Sequence, residues 1–172
     1  MNTAQDLHRQ QTAAGQYLTF LLAGEEYAVD ILRVQEIKGW TRATPIPNTP
    51  AYIKGVINLR GTIVPIVDLR EHFGLPVVEY GPTTVIIVLR IECADRQRIV
   101  GIVVDAVSEV YDLADDSLQA PPDFGSAVYV EFMRGMATVD AKMLIVLDID
   151  HLINTGLLDV LDAGARISGT QD

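Results

Sequence analysis

The chain has 172 residues, 49% of them hydrophobic and 21% charged, with a formal net charge of −10. That length suits one compact domain or two small ones, and the apolar share can fill a core, which sets aside a disordered chain. The acidity opposes phosphate backbones and anionic lipid surfaces, so neither nucleic acid nor direct membrane contact is expected. One cysteine, Cys93, excludes an internal disulfide and is compatible with a reducing compartment. No apolar h-region opens the chain and no apolar run reaches ~18 residues, so neither a secretory signal nor a membrane span is visible and the cytoplasm is the expected compartment.

Residues 1–15 are polar and predict a tail or a short helix. Tyr17–Leu22 predicts a strand, and Tyr27–Ile31 predicts its return after a Gly24-Glu25-Glu26 turn. From Ile31 to Ile37 the apolar spacing fits a helical turn nearly as well as a strand. Pro45, Pro47 and Pro50 stiffen an extended connection. Tyr52–Gly55 reads as one turn of helix before the stretch Gly55–Leu69, GVINLRGTIVPIVDL. There two Val/Ile runs flank a polar break at Asn58-Leu59-Arg60-Gly61, which predicts two tightly joined strands with Gly61 at φ > 0. Pro65 cannot donate a ladder hydrogen bond, so its strand is expected at an edge or beside a bulge.

Arg70–Leu75 closes the first half, and Pro76 and Pro82 bracket a loop. Thr83–Arg90 is too apolar to face water on either side, and Ile99–Val104 predicts another buried strand across the charged turn Glu92–Arg98. Tyr111–Ser126 is polar, with Pro121 and Pro122, and Val128–Met133 leads out of it. Leu152, Ile153, Leu157, Leu158 and Leu161 lie at helical spacing, weakened by Gly156; residues 162–172 read as disordered.

Two echoes organise these elements. At an offset of 80 (135 − 55), Gly135–Ile149 repeats the Gly55–Leu69 pattern, with Gly on Gly and Asp148 on Asp68. At an offset of 73 (107 − 34), Tyr27–Ile37 meets Val100–Val110, with Glu109 on Glu36. Two offsets in similar order predict a duplicated β unit, and short strands with regular turns predict barrels or a sandwich.

Catalytic constellations are missing from the sequence. His8, His72 and His151 are far apart and show no metal spacing, and Cys93 has no nearby histidine. There is no GxSxG, P-loop or strand-following GxGxxG. Asp68 and Asp148 precede Leu69 and Ile149 in apolar runs rather than Gly-containing loops, which disfavours a shared-proton carboxylate pair.

EEYAVDILRVQEI at 25–37, TPIPNTPAYIKGVINLRGTIVPIVDLREHFGL at 44–75, VGIVVDAVSEV and the closing LIVLDI are similar to the chemotaxis coupling (CheW-like) family over about Tyr17–Leu152. The resemblance implies a mainly β fold: two intertwined SH3-like five-stranded β-barrels with short helices and a C-terminal helix. It implies a CheW-like unit over 16–155, pseudo-repeated roughly as 17–75 and 76–150 with strand exchange, between a 1–15 tail and a 156–172 C-terminal end. The function it implies is a non-enzymatic adaptor joining the cytoplasmic tip of a methyl-accepting chemoreceptor to the histidine kinase CheA. That adaptor would be monomeric alone, ring-forming in arrays under the inner membrane, and without cofactor or metal. Rival readings are a CheW-like scaffold of a non-flagellar chemosensory pathway and a small-ligand-binding β protein.

Carried onto matching positions, the resemblance places receptor contact at Val34, Glu36, Ile37, Val85, Ile102 and Val104, each with ordinary core or surface as the alternative. It places kinase contact at Thr44, Ile46, Gly55 and Val56, with Phe124 as a second anchor. Arg60, Gly61 and Asp68 are the structural motif, with Arg60 expected to pair with Glu36 or Asp68. The second copy has Asp140-Ala141 where the first has Arg60-Gly61, so the Arg role does not transfer, and the Glu92–Arg98 turn is longer than the family pattern.

Overall fold

The computed structural model describes residues 15–94, 96–114, 117–120 and 130–154. Most of the expected N-terminal tail, Phe124 and the expected helix beyond Asn154 lie outside them. Ten strands follow in chain order: β1 Gln16–Leu22, β2 Glu25–Asp30, β3 Val34–Gly39, β4 Ile53–Leu59, β5 Thr62–Asp68, β6 Val85–Glu92, β7 Gln97–Val104, β8 Ala106–Asp112, β9 Met133–Val139 and β10 Lys142–Leu147. Helix α1, Leu69–His72, follows β5, and α2, Ile149–Leu152, follows β10.

The strands form two five-stranded sheets, ordered β8-β1-β2-β10-β9 and β3-β6-β7-β5-β4. Each set of five successive strands therefore gives two to one sheet and three to the other. This is the intertwined pair expected, and the sequence echoes map onto it. Ile66 pairs with Gly101 where β5 runs parallel to β7. Adding 80 to 66 and subtracting 73 from 101 gives Val146 and Ala28, which pair where β10 runs parallel to β2.

The side chains fill three cores. One lies within the second sheet's unit, from Ile57, Val64, Ile66, Ile86, Val88 and Val103. Another lies within the first, from Tyr17, Ala28, Ala137, Leu144 and Val146. The third draws on both sheets, including Leu18, Phe20, Val29, Ile87, Leu89 and Ile102. Strand alternation sends Ile86 and Val88 into one core and Ile87, Leu89 and Ile91 into another, which is why β6 is apolar throughout.

Local chemistry sets the joints. Arg60 and Gly61 have φ of 51° and 90°, a tight turn whose two central residues are both left-handed, and Asp140 and Ala141 repeat it at 52° and 65°. Asp68 and Asp148 cap the helices that follow them, accepting from the Glu71 and His151 N–H groups at 3.0 and 3.1 Å. Their equivalence in the repeat is therefore a capping equivalence.

The structure decides several local readings. Tyr52–Gly55 is not a helical turn: β4 begins at Ile53, and the Tyr52 carbonyl accepts from the Asp68 N–H at 2.7 Å, which ties the segment to β5. Ile31–Ile37 combines both open alternatives, a 3₁₀ turn at Ile31–Arg33 capped by Asp30 and then β3. β8 carries strand structure through Tyr111 and Asp112, because those residues pair with Tyr17 and Gln16 of β1. Pro65 lies in a strand flanked on both sides, but the ladder to β7 covers only Ile66–Asp68, so the chain beside Pro65 is unpaired on that side.

Candidate functional site

Two exposed apolar surfaces lie on the second sheet. The first begins at its β3 edge. In the β3–β6–β7 register Ile37 stands opposite Ile87 and Ile87 opposite Ile102, while Gly39 stands opposite Val85 and Val85 opposite Val104. Cross-strand partners share a face, so Ile37, Val85, Ile102 and Val104 all lie on the face carrying Ile87. That face turns toward the first sheet, because Ile87, Ile102 and Val104 belong to the core shared by both sheets.

Exposure rises toward the edge. Ile102 and Val104 are buried at 0% and 1%, Val85 is half-buried against the shared core, and Ile37 is 42% exposed. Val34 also packs partly against this core. The seam is thus filled by the chain's own side chains at its centre and open at its β3 margin. Ile102 and Val104, expected as receptor contacts, are core: Phe20, Val29 and their neighbours occupy the space a partner would need. Glu36 stands opposite Val88, a residue of the other core, and pairs with Arg60. It is therefore apart from the apolar four. The Arg60 side chain is 71% exposed, so this is a surface pair rather than the neutralisation of a buried charge.

The second surface is a groove of about 440 Å³. It opens where β5 and β7, parallel at Ile66–Asp68, have not yet met. Ile63 and Pro65 form one wall, Ile99 the other, and Ile46 and Val56 extend the apolar lining. Arg96 of the β6–β7 turn and Arg98 of β7 stand at it as well. Of the expected kinase contacts, Ile46 and Val56 line this groove. Thr44 is exposed, and its N–H and carbonyl bond the Val56 carbonyl and N–H at 2.8 and 2.9 Å.

Gly55 is buried instead. With φ of 128°, it lets the Thr44 carbonyl come so close that an added Cβ would sit 2.0 Å from it. The same device returns at Gly135, where Leu118 and Gln119 crowd the missing Cβ at 3.1 and 3.2 Å and Gln119 bridges Met136. Ile63, Ile99, Arg96 and Arg98 were not legible as groove residues, since nothing in a sequence marks where two parallel strands diverge.

Asp68 is buried at the end of β5. It is 4% exposed, caps α1 and accepts from the Tyr80 hydroxyl. Burial first, and then that hydrogen bond, push the Tyr80 phenol well above its ordinary range. Trp40 packs on Tyr80 with ring centroids 4.3 Å apart. A further polar pocket of about 330 Å³ involves Asp30, Arg33, Asp148 and Asp150, and Arg33 bridges it to Asp150 at 2.5 Å. Among the described residues no group of His, Cys, Asp or Glu is placed to hold a metal ion, and no helix is long and apolar enough to cross a membrane.

A family model described as the CheW-like domain matches residues 16–156. The chain is 43% identical over 156 residues to the chemotaxis protein CheW of Klebsiella aerogenes, covering 91% of this chain and 92% of that protein. It is 38% identical over 135 residues to the chemotaxis protein CheW of Rhizobium meliloti, covering 78% and 84%. The crystal structure of the scaffolding protein TtCheW from Thermoanaerobacter tengcongensis superposes with a TM-score of 0.73 at 34% identity, covering 83% of this chain and 90% of that one. With its strand exchange and its two helix-capping aspartates inside the matched span, the chain belongs to the CheW-like domain family.

Proposed function

We propose that the chain is a non-catalytic adaptor that joins the cytoplasmic tip of a methyl-accepting chemoreceptor to the histidine kinase CheA in arrays under the inner membrane. The observation that carries this is the separation of two exposed apolar surfaces on one rigid sheet. The seam margin at Val34, Ile37 and Val85 offers an apolar edge to a helical hairpin. The groove at Ile46, Val56 and Ile63, at the β5–β4 end of the same sheet, is offered to the kinase. Glu36, paired with Arg60 on the other face of β3 from Ile37, is proposed as a further receptor contact at that edge, and Thr44, bonded to Val56, as a further kinase contact.

An adaptor of this kind works through coupling free energy between its interfaces, of order 1–3 kcal/mol, and needs no reacting group. The test is simultaneous binding. Intact kinase and a receptor cytoplasmic fragment are each titrated against the chain, and then against the chain saturated with the other. A ternary complex is expected, with Ile37→Asp weakening only the receptor and Ile63→Asp only the kinase. Mutually exclusive binding, or one substitution abolishing both, contradicts the proposal.

A further inference from the structure

Glu92 stands between the two surfaces. It ends β6 and lies opposite Gln97, the first residue of β7. Its N–H donates to Asp150 Oδ1 at 2.9 Å, and its carbonyl accepts from the Asn154 side-chain amide at 2.9 Å. These bonds fix its backbone against α2 and the chain just beyond. Its carboxylate Oε1 accepts from the Gln97 amide at 2.7 Å, and the same oxygen lies 3.6 Å from Arg33 Nη1. The first is a hydrogen bond; the second is beyond hydrogen-bond reach.

Each contender for that oxygen belongs to a different surface. Gln97 lines the groove, and Arg33 immediately precedes Val34 of the seam margin. Arg33 holds Asp150 through Nη2 at 2.5 Å, which leaves Nη1 to face Glu92. The Arg33 and Glu92 side chains are 26% and 50% exposed, so a partner covering the start of β3 takes water from both.

From this shared oxygen, and resting on the assignment of the margin to the receptor and the groove to the kinase, we infer that Glu92 is a positioning residue that couples the two interfaces. In the free chain Gln97 holds the carboxylate. A helical hairpin seated on Val34 lowers the local dielectric, and attraction between unlike charges rises more than a bond from a neutral amide. The carboxylate then closes onto Arg33 Nη1. The Gln97 amide is released toward the groove, where it donates to an acceptor on the kinase. Asp150 stays on Arg33 throughout, so the frame is rigid and only a side-chain partner changes. Kinase seated on Gln97 favours the same arrangement, which makes the coupling positive and reciprocal.

Titration of intact kinase against the chain, with and without a saturating receptor cytoplasmic fragment, reads the coupling as a ratio of two dissociation constants. In the parent the receptor should tighten kinase binding at least about fivefold. Glu92→Gln keeps an acceptor for Gln97 and removes the charge that Arg33 attracts. Glu92 is exposed, so the variant folds, which its melting curve checks. Its ratio should fall below about twofold while each ligand alone binds as to the parent. A merely structural brace would move the separate affinities or the melting temperature and leave the ratio. Lys54→Gln, which breaks a different ion pair, with Glu71, should keep the parental ratio. A parental ratio near one, an unchanged Glu92→Gln ratio, or an equal loss in Lys54→Gln overturns the inference and leaves ternary binding in place. Failure of the parent to bind receptor or kinase at all removes the adaptor reading, and the inference with it.

Discussion

Arg60 shows how far one residue carries. The pairing expected for it is made with Glu36, yet its side chain is 71% exposed. An exposed ion pair contributes about 0.2–1 kcal/mol, so Arg60→Ala should melt within a few degrees of the parent. Loss of receptor binding by that variant would mark Arg60 as a contact; a melting drop above about 10 °C would contradict the surface-pair account.

His72 behaves differently. It packs edge-on to Tyr52 at 4.9 Å and near Phe73 at 5.7 Å and Phe132 at 6.4 Å. Burial pushes its imidazole below the ordinary value of 6.5. The unfolded chain therefore takes up this proton first as pH falls. The stability tied to neutral His72 is complete above pH 6.5 and declines below it, by at most about 1.4 kcal/mol per pH unit. Replacing His72 with Phe should flatten the melting temperature between about pH 7 and pH 5.5, measured by thermal denaturation; an unchanged slope would show that other groups set it.

At the scale of elements, the duplication was legible because the two copies keep their turns, caps and close approaches at fixed spacing. Gly55 and Gly135 recur because a covering segment needs the space, and Asp68 and Asp148 recur because each starts a helix. Which apolar residues stay at the surface was not legible. Alternation assigns Ile37, Ile102 and Val104 to a face, but only the other sheet's position decides that two are covered and one is not.

The copies also trade volume. In one, Gly101 faces Ile66, whose Cδ1 would lie 2.7 Å from an added Cβ; in the other, Ala28 faces Val146, which lacks that carbon. Gly101→Ala should destabilise by about 1–3 kcal/mol through overpacking. Adding Ile66→Val should recover at least about 1 kcal/mol relative to the summed single effects, read by denaturant unfolding. Strict additivity would show that the Ile86 contact at 2.9 Å, and not Ile66, limits the site.

The whole molecule is locked at its two crossovers. Arg33, between β2 and β3, pairs with Asp150 of α2 at 2.5 Å, and Asp105, between β7 and β8, pairs with Arg70 of α1 at 2.6 Å. Residues 70 and 150 differ by 80, and residues 33 and 105 by 72, one short of the repeat offset of 73, so these clasps fall at neighbouring positions of the repeat with their charges reversed. Together with the core shared by both sheets, they make one body whose seam margin and groove keep a fixed relation. An adaptor needs that fixed relation more than it needs any single contact. The most direct measurement is the phosphorylation rate of intact kinase with receptor, with and without the chain. The account predicts that adding the chain raises kinase output and places it under receptor control, and that Ile37→Asp and Ile63→Asp each abolish this while still folding. Kinase output indifferent to the chain would contradict it.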